Sequence, residues 1–341
     1  MNRRHLLTTG ATAIISHAVD AAANEPWRTF ELTTRVEIRN SVGATRIWLP
    51  APLTASVPWQ RTLSTRLTAQ GATIRRFDKS ADGLRIHSIE FPPGAKPLVI
   101  HTAIIATRDR LAAAPSDLTS EARAHFLRPT RLLPTDGIVR ATALEITRVA
   151  KTDLDKARAI YDWIVDNTSR NPKTQGCGLG DIRFMLESRD LSGKCADLNA
   201  LYVGLARAAG LPARDVYGIR VAKSRSANST LGINSATATK AQHCRAEVYV
   251  QGHGWLPVDP ADVRKVALEE PASHVAPART RLCGSWEMNW IAWNFAHDIA
   301  LPGSTRPPLP FLMYPQAETA EGRPNSLDPE SFTYQITVST A

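Results

Sequence analysis

A change of hydrophobic period near residue 112 constrains this 341-residue chain more than any other feature. Before it, Phe30, Leu32, Val36 and Ile38 alternate with Glu31, Thr33, Arg35, Glu37 and Arg39, the period of a strand buried on one face. Further runs at 45–49, 62–77, 84–91 and 98–106 are punctuated by Asp82-Gly83 and Pro92-Pro93-Gly94. Strands at that spacing predict a small β-sandwich-like domain over 24–112. After a connector (113–135), apolar residues recur at helical spacing: Ile138, Ala141, Leu144 and Val149, then Ala157, Ile160 and Ile164, until Asn171-Pro172 ends the run. A third helix, 195–210, carries the stripe Leu198, Leu201, Tyr202 and Leu205 and stops at Gly210 and Pro212. A strand at 215–221 and a hairpin of 245–251 with 255–258 follow. Trp286, Trp290, Trp293 and Phe295 read as a core strand or buried hairpin, with a substrate wall as the alternative, and 332–338 closes the chain as a strand.

The chain opens with Arg3-Arg4-His5-Leu6-Leu7, a modestly apolar run to Val19, and Ala21-Ala22-Ala23. This pattern predicts an export signal over 1–23, twin-arginine-like, and hence a periplasmic or secreted protein. No later run is apolar enough for a stable membrane span. The composition, 43% hydrophobic and 21% charged, is that of a globular protein. The formal charge of +9 stays strongly basic after removal of Arg3, Arg4 and Asp20. Such a surface suits acidic envelope polymers, but the arginines are scattered and no nucleic-acid motif appears.

The residues that carry chemistry are Cys195, within Gly193-Lys194-Cys195-Ala196-Asp197-Leu198-Asn199, then His243 in Gln242-His243-Cys244, and Asp259 in Trp255-Leu256-Pro257-Val258-Asp259-Pro260. A cysteine on the first turn of a helix has free backbone N–H groups and the positive dipole end to favour its thiolate. An imidazole takes the thiol proton and returns it to a leaving amine, and a carboxylate orients the ring. Cys195 is therefore the candidate nucleophile, His243 the base and Asp259 the orienter. Asp197 would oppose the thiolate if it pointed inward. Three other cysteines, Cys177, Cys244 and Cys283, leave room for one disulfide among them if Cys195 stays a thiol. Cys244, next to His243 but on the other face of its strand, reads as core or disulfide. The loop Gly176-Cys177-Gly178-Leu179-Gly180-Asp181 reads as structural, with a wall of the cleft as the alternative, and 223–242 as either a flexible lid or a surface excursion.

The stretch 193–214, with 243–250 and 254–260, resembles the nucleophile helix, histidine strand and aspartate strand of the transglutaminase-like superfamily. The resemblance covers roughly residues 150–265 and implies an α+β fold with a papain-like catalytic domain over 136–341, ending in an aromatic strand extension. It assigns the same roles to Cys195, His243 and Asp259. One departure is Arg245, where the family commonly has tryptophan; the change is expected to alter the pocket wall and the local charge. The Cys195 N–H is one expected oxyanion donor, with Gln242 and Asn171 as candidates for a second.

Such a site implies a thioester intermediate and a protein, peptide or amide substrate, with no cofactor and no metal. Zinc is disfavoured because C-x-x-C and H-E-x-x-H are lacking. Hydrolysis of a peptide or amide bond is the first reading, protein-glutamine transamidation the second, and a non-catalytic binding module the third.

Overall fold

The computed structural model describes residues 26–39, 41, 43–111, 117–328 and 332–341. The expected export signal lies outside the described residues. Six strands come first: β1 (Arg28–Glu37), β2 (Thr45–Pro50), β3 (Gln60–Thr68), β4 (Thr73–Lys79), β5 (Leu84–Phe91) and β6 (Leu98–Thr107). A short β7 (Arg110–Leu111) leads to α1 (Ser120–Leu127), α2 (Gly137–Thr147) and α3 (Asp153–Asn167). Thr152 caps α3 through a reciprocal bond with Asp155, which is why that helix starts where it does. Then come β8 (Ser169–Arg170), α4 (Ile182–Ser188), β9 (Ser192–Gly193), α5 (Cys195–Ala208), β10 (Ala213–Arg220), β11 (Gln242–Val250) and β12 (Gly254–Val258). The chain ends with α6 (Pro260–Glu269), α7 (Val275–Arg281), β13 (Ser285–Trp286), β14 (Trp290–Asn294), β15 (Gln316–Glu318) and β16 (Thr333–Thr340).

The first strands make two antiparallel sheets, ordered β16-β1-β6-β3 and β15-β2-β5-β4. The single strand expected over 62–77 is two, because the chain turns at Gly71, with φ +74°, and β3 and β4 then join different sheets. Val36, Ile47, Ile89, Phe91, Val99 and Phe332 fill one end between the sheets. The expected boundary at 136–341 needs correction at its C-terminal end. β16 pairs with β1, Leu32 opposite Val338, and β15 pairs with β2, so the last strands complete the N-terminal sheets. Alternation specifies a strand but not its distant partner.

A third sheet, β12-β11-β10-β14, carries α5 across β10 and β11, and α5 is buried along nearly its whole length. The main core clusters around this helix. The aromatic patch is a joint: Trp59 lies 6.1 Å from Trp286 and 6.4 Å from Trp290, packing the N-terminal strands onto β14. Burying such side chains contributes roughly 1.5–3 kcal/mol each. The patch is core and lines no wall of the Cys195 cavity. Among the described residues, no helix is long and apolar enough to cross a membrane.

Candidate active site

Cys195 opens α5, so its N–H has no intrahelical acceptor. The turn before it is held by Asp197, whose carboxylate accepts backbone N–H bonds from Leu179 and Gly180 (both 2.9 Å) and from Lys194 (2.9 Å). That geometry needs glycine: a Cβ on Gly178 would sit 1.9 Å from Asp197 Oδ2, and one on Gly193 2.5 Å. Asp197 thus turns into the glycine loop rather than toward the thiol. The same loop brings Cys177 to the site, where its carbonyl accepts the Ala196 N–H at 2.9 Å. Gly176 and Cys177 line the cavity, so this loop is both scaffold and wall.

His243 is the second residue of β11, and Asp259 follows β12, the antiparallel neighbour. His243 Nε2 lies 2.7 Å from Asp259 Oδ2, leaving Nδ1 for the thiol. Two tryptophans fix these strands from behind: Trp290 Nε1 donates to the His243 carbonyl at 2.9 Å, and Trp286 Nε1 to the Val258 carbonyl at 3.2 Å. Asp259 also caps α6, accepting the Asp262 N–H at 3.1 Å, with Pro260 in the first turn. The fold therefore brings Cys195, His243 and Asp259 together.

The Cys195 thiol is held well below the ordinary range by hydrogen bonds from Cys177 first, then Cys244 and His243, against the effect of burial. Burial and Arg220 pull the His243 imidazole down, but Asp262 and Asp259 outweigh them and it stands above its ordinary value. Of the two readings of Cys244, core or disulfide, the structure shows core: it is fully buried and unbridged. Cys244 lies in the core beneath α5 and reaches Cys195, because the first turn of that helix sits on this end of β11. All four cysteines are free thiols.

Arg245 also departs from expectation. It is no pocket wall: its guanidinium is buried behind Asp259, with Nε 3.6 Å from Oδ2, Nη1 on the Glu287 carbonyl, and its plane over Trp290 at 4.8 Å. Two residues escaped the sequence reading. Asp262, in the first turn of α6, lies 3.4 Å from His243 Nε2 and pairs with Arg220 at 2.6 Å. Asn199 donates to Asp259 Oδ1 (3.2 Å) and to the Cys244 carbonyl (2.8 Å), tying α5 to both strands. The signals were an acidic residue three after a capping Asp-Pro, and an Asn one turn beyond the cysteine.

His243, Asp259 and Asp262 are close enough to share a cation. Arg220 and Arg245 already neutralise those carboxylates, so the set is poorly suited to one.

Cys195 and His243 open on a cavity of about 680 Å³. Its lining includes Arg170, Lys194, Arg220, Lys240 and Lys265 and no Asp or Glu among the described residues. Residues 232–241 form one wall. The expected lid segment is pinned by Thr230 and Asn228 to Glu270, by Ser224 to Glu287, and by the Ala238 N–H to the Ile336 carbonyl. Gln242 also lines the cavity, and its Nε2 has no hydrogen-bond partner among the described residues. Asn171 is spent locally on Ser192 and Lys173. A larger cavity, about 870 Å³, lies in the N-terminal sheets and has no cysteine in its lining among the described residues.

A thiol beside an imidazole that is itself held by a carboxylate defines the class of thiol acyl-transfer sites. The transglutaminase-like superfamily model matches residues 140–260, spanning α5, β11 and β12. An uncharacterized protein of Haemophilus influenzae is 32% identical over 95% of this chain and 93% of its own length. Among solved structures, a candidate cysteine protease from Cytophaga hutchinsonii superposes with a TM-score of 0.51 at 17% identity, covering 92% of this chain and 98% of that one. The periplasmic domain of TgpA from Pseudomonas aeruginosa gives a TM-score of 0.37 at 18% identity, over 67% of this chain and 90% of that one. The chain belongs to the transglutaminase-like superfamily and has its α+β, papain-like fold.

Proposed function

We propose that this protein is an exported, periplasmic or secreted thiol hydrolase of peptide or amide bonds. The observation that carries the reading is the Cys195 thiol in contact with an imidazole whose other nitrogen is committed to Asp259 at 2.7 Å. The Cys195 thiolate attacks the carbonyl carbon, and the oxyanion falls to the Cys195 N–H and the unpartnered amide of Gln242. His243 gives its proton from Nδ1 to the leaving amine, producing a thioester. His243 then takes a proton from water, hydroxide adds to the thioester, and the thiolate leaves with release of the acid. Water is favoured over an amine acceptor because the cavity lining is cationic: Arg220 is paired with Asp262, and Arg170 and Lys265 with Glu269, but Lys194 and Lys240 remain to repel a lysine ammonium. The same cations suit a donor bearing carboxylates, such as an acidic envelope polymer or peptide.

Iodoacetamide labelling of the purified protein across pH, mapped by mass spectrometry, tests the reading. Cys195 is expected to react well below the ordinary thiol range of about 8.5, and His243→Ala to slow it on the order of a hundredfold. A Cys195 no more reactive than an ordinary thiol overturns the reading. A peptide library offered with a labelled amine then separates the acceptors: transfer to the amine in place of free acid establishes transamidation.

A further inference from the structure

The second cavity is chemically odd for its place. Facing sheets of a sandwich normally fill the space between them with apolar side chains. Here only one end is filled that way. At the other, β3 and β4 flare open and are exposed along nearly their whole length. The cavity of about 870 Å³ between them is lined by Arg61, Arg76, Arg85, Arg108 and His87, with no Asp or Glu in its lining among the described residues.

Register makes this a built arrangement. Arg76 stands opposite His87, and Asp78 opposite Arg85, on the β4–β5 pair. Asp78 binds Arg85 through two bonds of 2.7 Å, so one carboxylate stands against four guanidiniums. Arg61 and Arg108 are steered by the Trp27 ring, at 4.3 and 5.0 Å. His87 is 3% exposed and lines the cavity, yet among the described residues neither ring nitrogen has a hydrogen-bond partner. Behind it His101 packs edge-on at 5.0 Å. Burial first, then Arg76 and Arg85, push His87 down to about 4, so at neutral pH it is an uncharged ring with one N–H to donate. A buried donor without an acceptor is costly, and like-charged guanidiniums around one space repel. A single kind of occupant relieves both.

We propose that this mouth is an oxyanion-binding site, holding a phosphate or carboxylate group between Arg76, Arg85 and the His87 ring, with Arg61 and Arg108 at its entrance. The site is separate from the Cys195 cavity and stands whatever reaction that cavity performs. It gives the N-terminal sheets a role in recruiting an anionic ligand.

Calorimetric titration of the full chain in chloride buffer, with sodium phosphate and separately with sodium citrate, tests it. A saturable isotherm is expected for at least one. Phosphate alone assigns the site to phosphorylated ligands, citrate alone to carboxylate-bearing ones, and both to the shared chemistry. Arg76→Gln, at an exposed side chain, should weaken binding on the order of tenfold by removing one charge-assisted contact. His87→Phe should weaken binding as strongly by removing the buried N–H donor; if it fails to fold, Arg76→Gln decides. Saturable binding should also leave iodoacetamide labelling of Cys195 unchanged. Absence of an isotherm for both anions overturns the proposal. So does binding that survives Arg76→Gln and is lost instead in Lys240→Gln, which places the anion in the Cys195 cavity.

Discussion

His243 and Glu247 lie on the same face of the same strand, four residues apart and both almost fully buried, yet they are built for opposite ends. Glu247 is clasped by Arg110 at 2.7 Å and Arg214 at 2.6 Å, and Arg214 is itself stacked over Trp255 and Phe295. Burial raises its carboxyl, but the two arginines outweigh it and hold the group below its ordinary value. Its partners never lose their charge, so this cluster is a rivet between β7, β10 and β11. His243 faces Asp259 and Asp262, with Cys195 on its other side, and each of those groups can exchange a proton. Equal burial thus yields a fixed joint or a proton-transfer group, according to the titration range of the neighbours.

The strongest way to break this comparison is Glu247→Ala. It leaves two buried guanidiniums unpaired and should cost roughly 3–5 kcal/mol, read by urea unfolding. His243→Ala should abolish fast alkylation with a much smaller loss. If Glu247→Ala unfolds at the same urea concentration as wild type, Glu247 is no rivet.

Dependence on pH sharpens the contrast. His243 stands above its ordinary 6.5, so the stabilisation from its carboxylates is full below about 6.5 and is lost as pH rises through the folded-state value. Glu247 stands below its ordinary 4.5, so its contribution is present above about 4.5 and is lost only as pH falls through its lower folded-state value. Melting temperatures taken from pH 6 to 9 should therefore fall less steeply in His243→Gln than in wild type. In Glu247→Gln they should be lower throughout with the wild-type slope. Identical slopes in all three proteins would contradict the role given to His243.

The smallest effect concerns Cys177, the first of the groups holding Cys195 down. Cys177→Ala should raise the Cys195 thiol and slow its alkylation at pH 6 severalfold, leaving the melting temperature nearly unchanged. A rate equal to wild type would leave His243 as the group that sets the thiol.

Cys195, His243 and Asp259 were legible because each sits at an element end marked by short-range signals: Gly193 before the helix, alternation after His243, and Pro260 after Asp259. Asp262 and Asn199 were hidden because their importance lies in contacts 19 and 60 residues away, His243 for one and Asp259 for the other. The tryptophans were read correctly as core, but their indole bonds to the backbone of the site were not visible in composition. Arg245 stands out in the sequence as a charge at the pocket wall, but it lies against Asp259 outside the cavity lining, since a strand pattern gives the face but not what lies beyond it.

By itself, the sequence determined most of the longer strands and helices and the residue types and order of the candidate site, because helix caps, turns and period are set by neighbours a few residues apart. Tertiary structure alone decided that the last strand closes the first sheet, that three thiols converge at the head of one helix, and that an arginine-lined mouth opens between β3 and β4. Each of those depends on which distant surfaces meet. Pairing energies between faces are nearly alike for many partners, and only the packed whole selects among them.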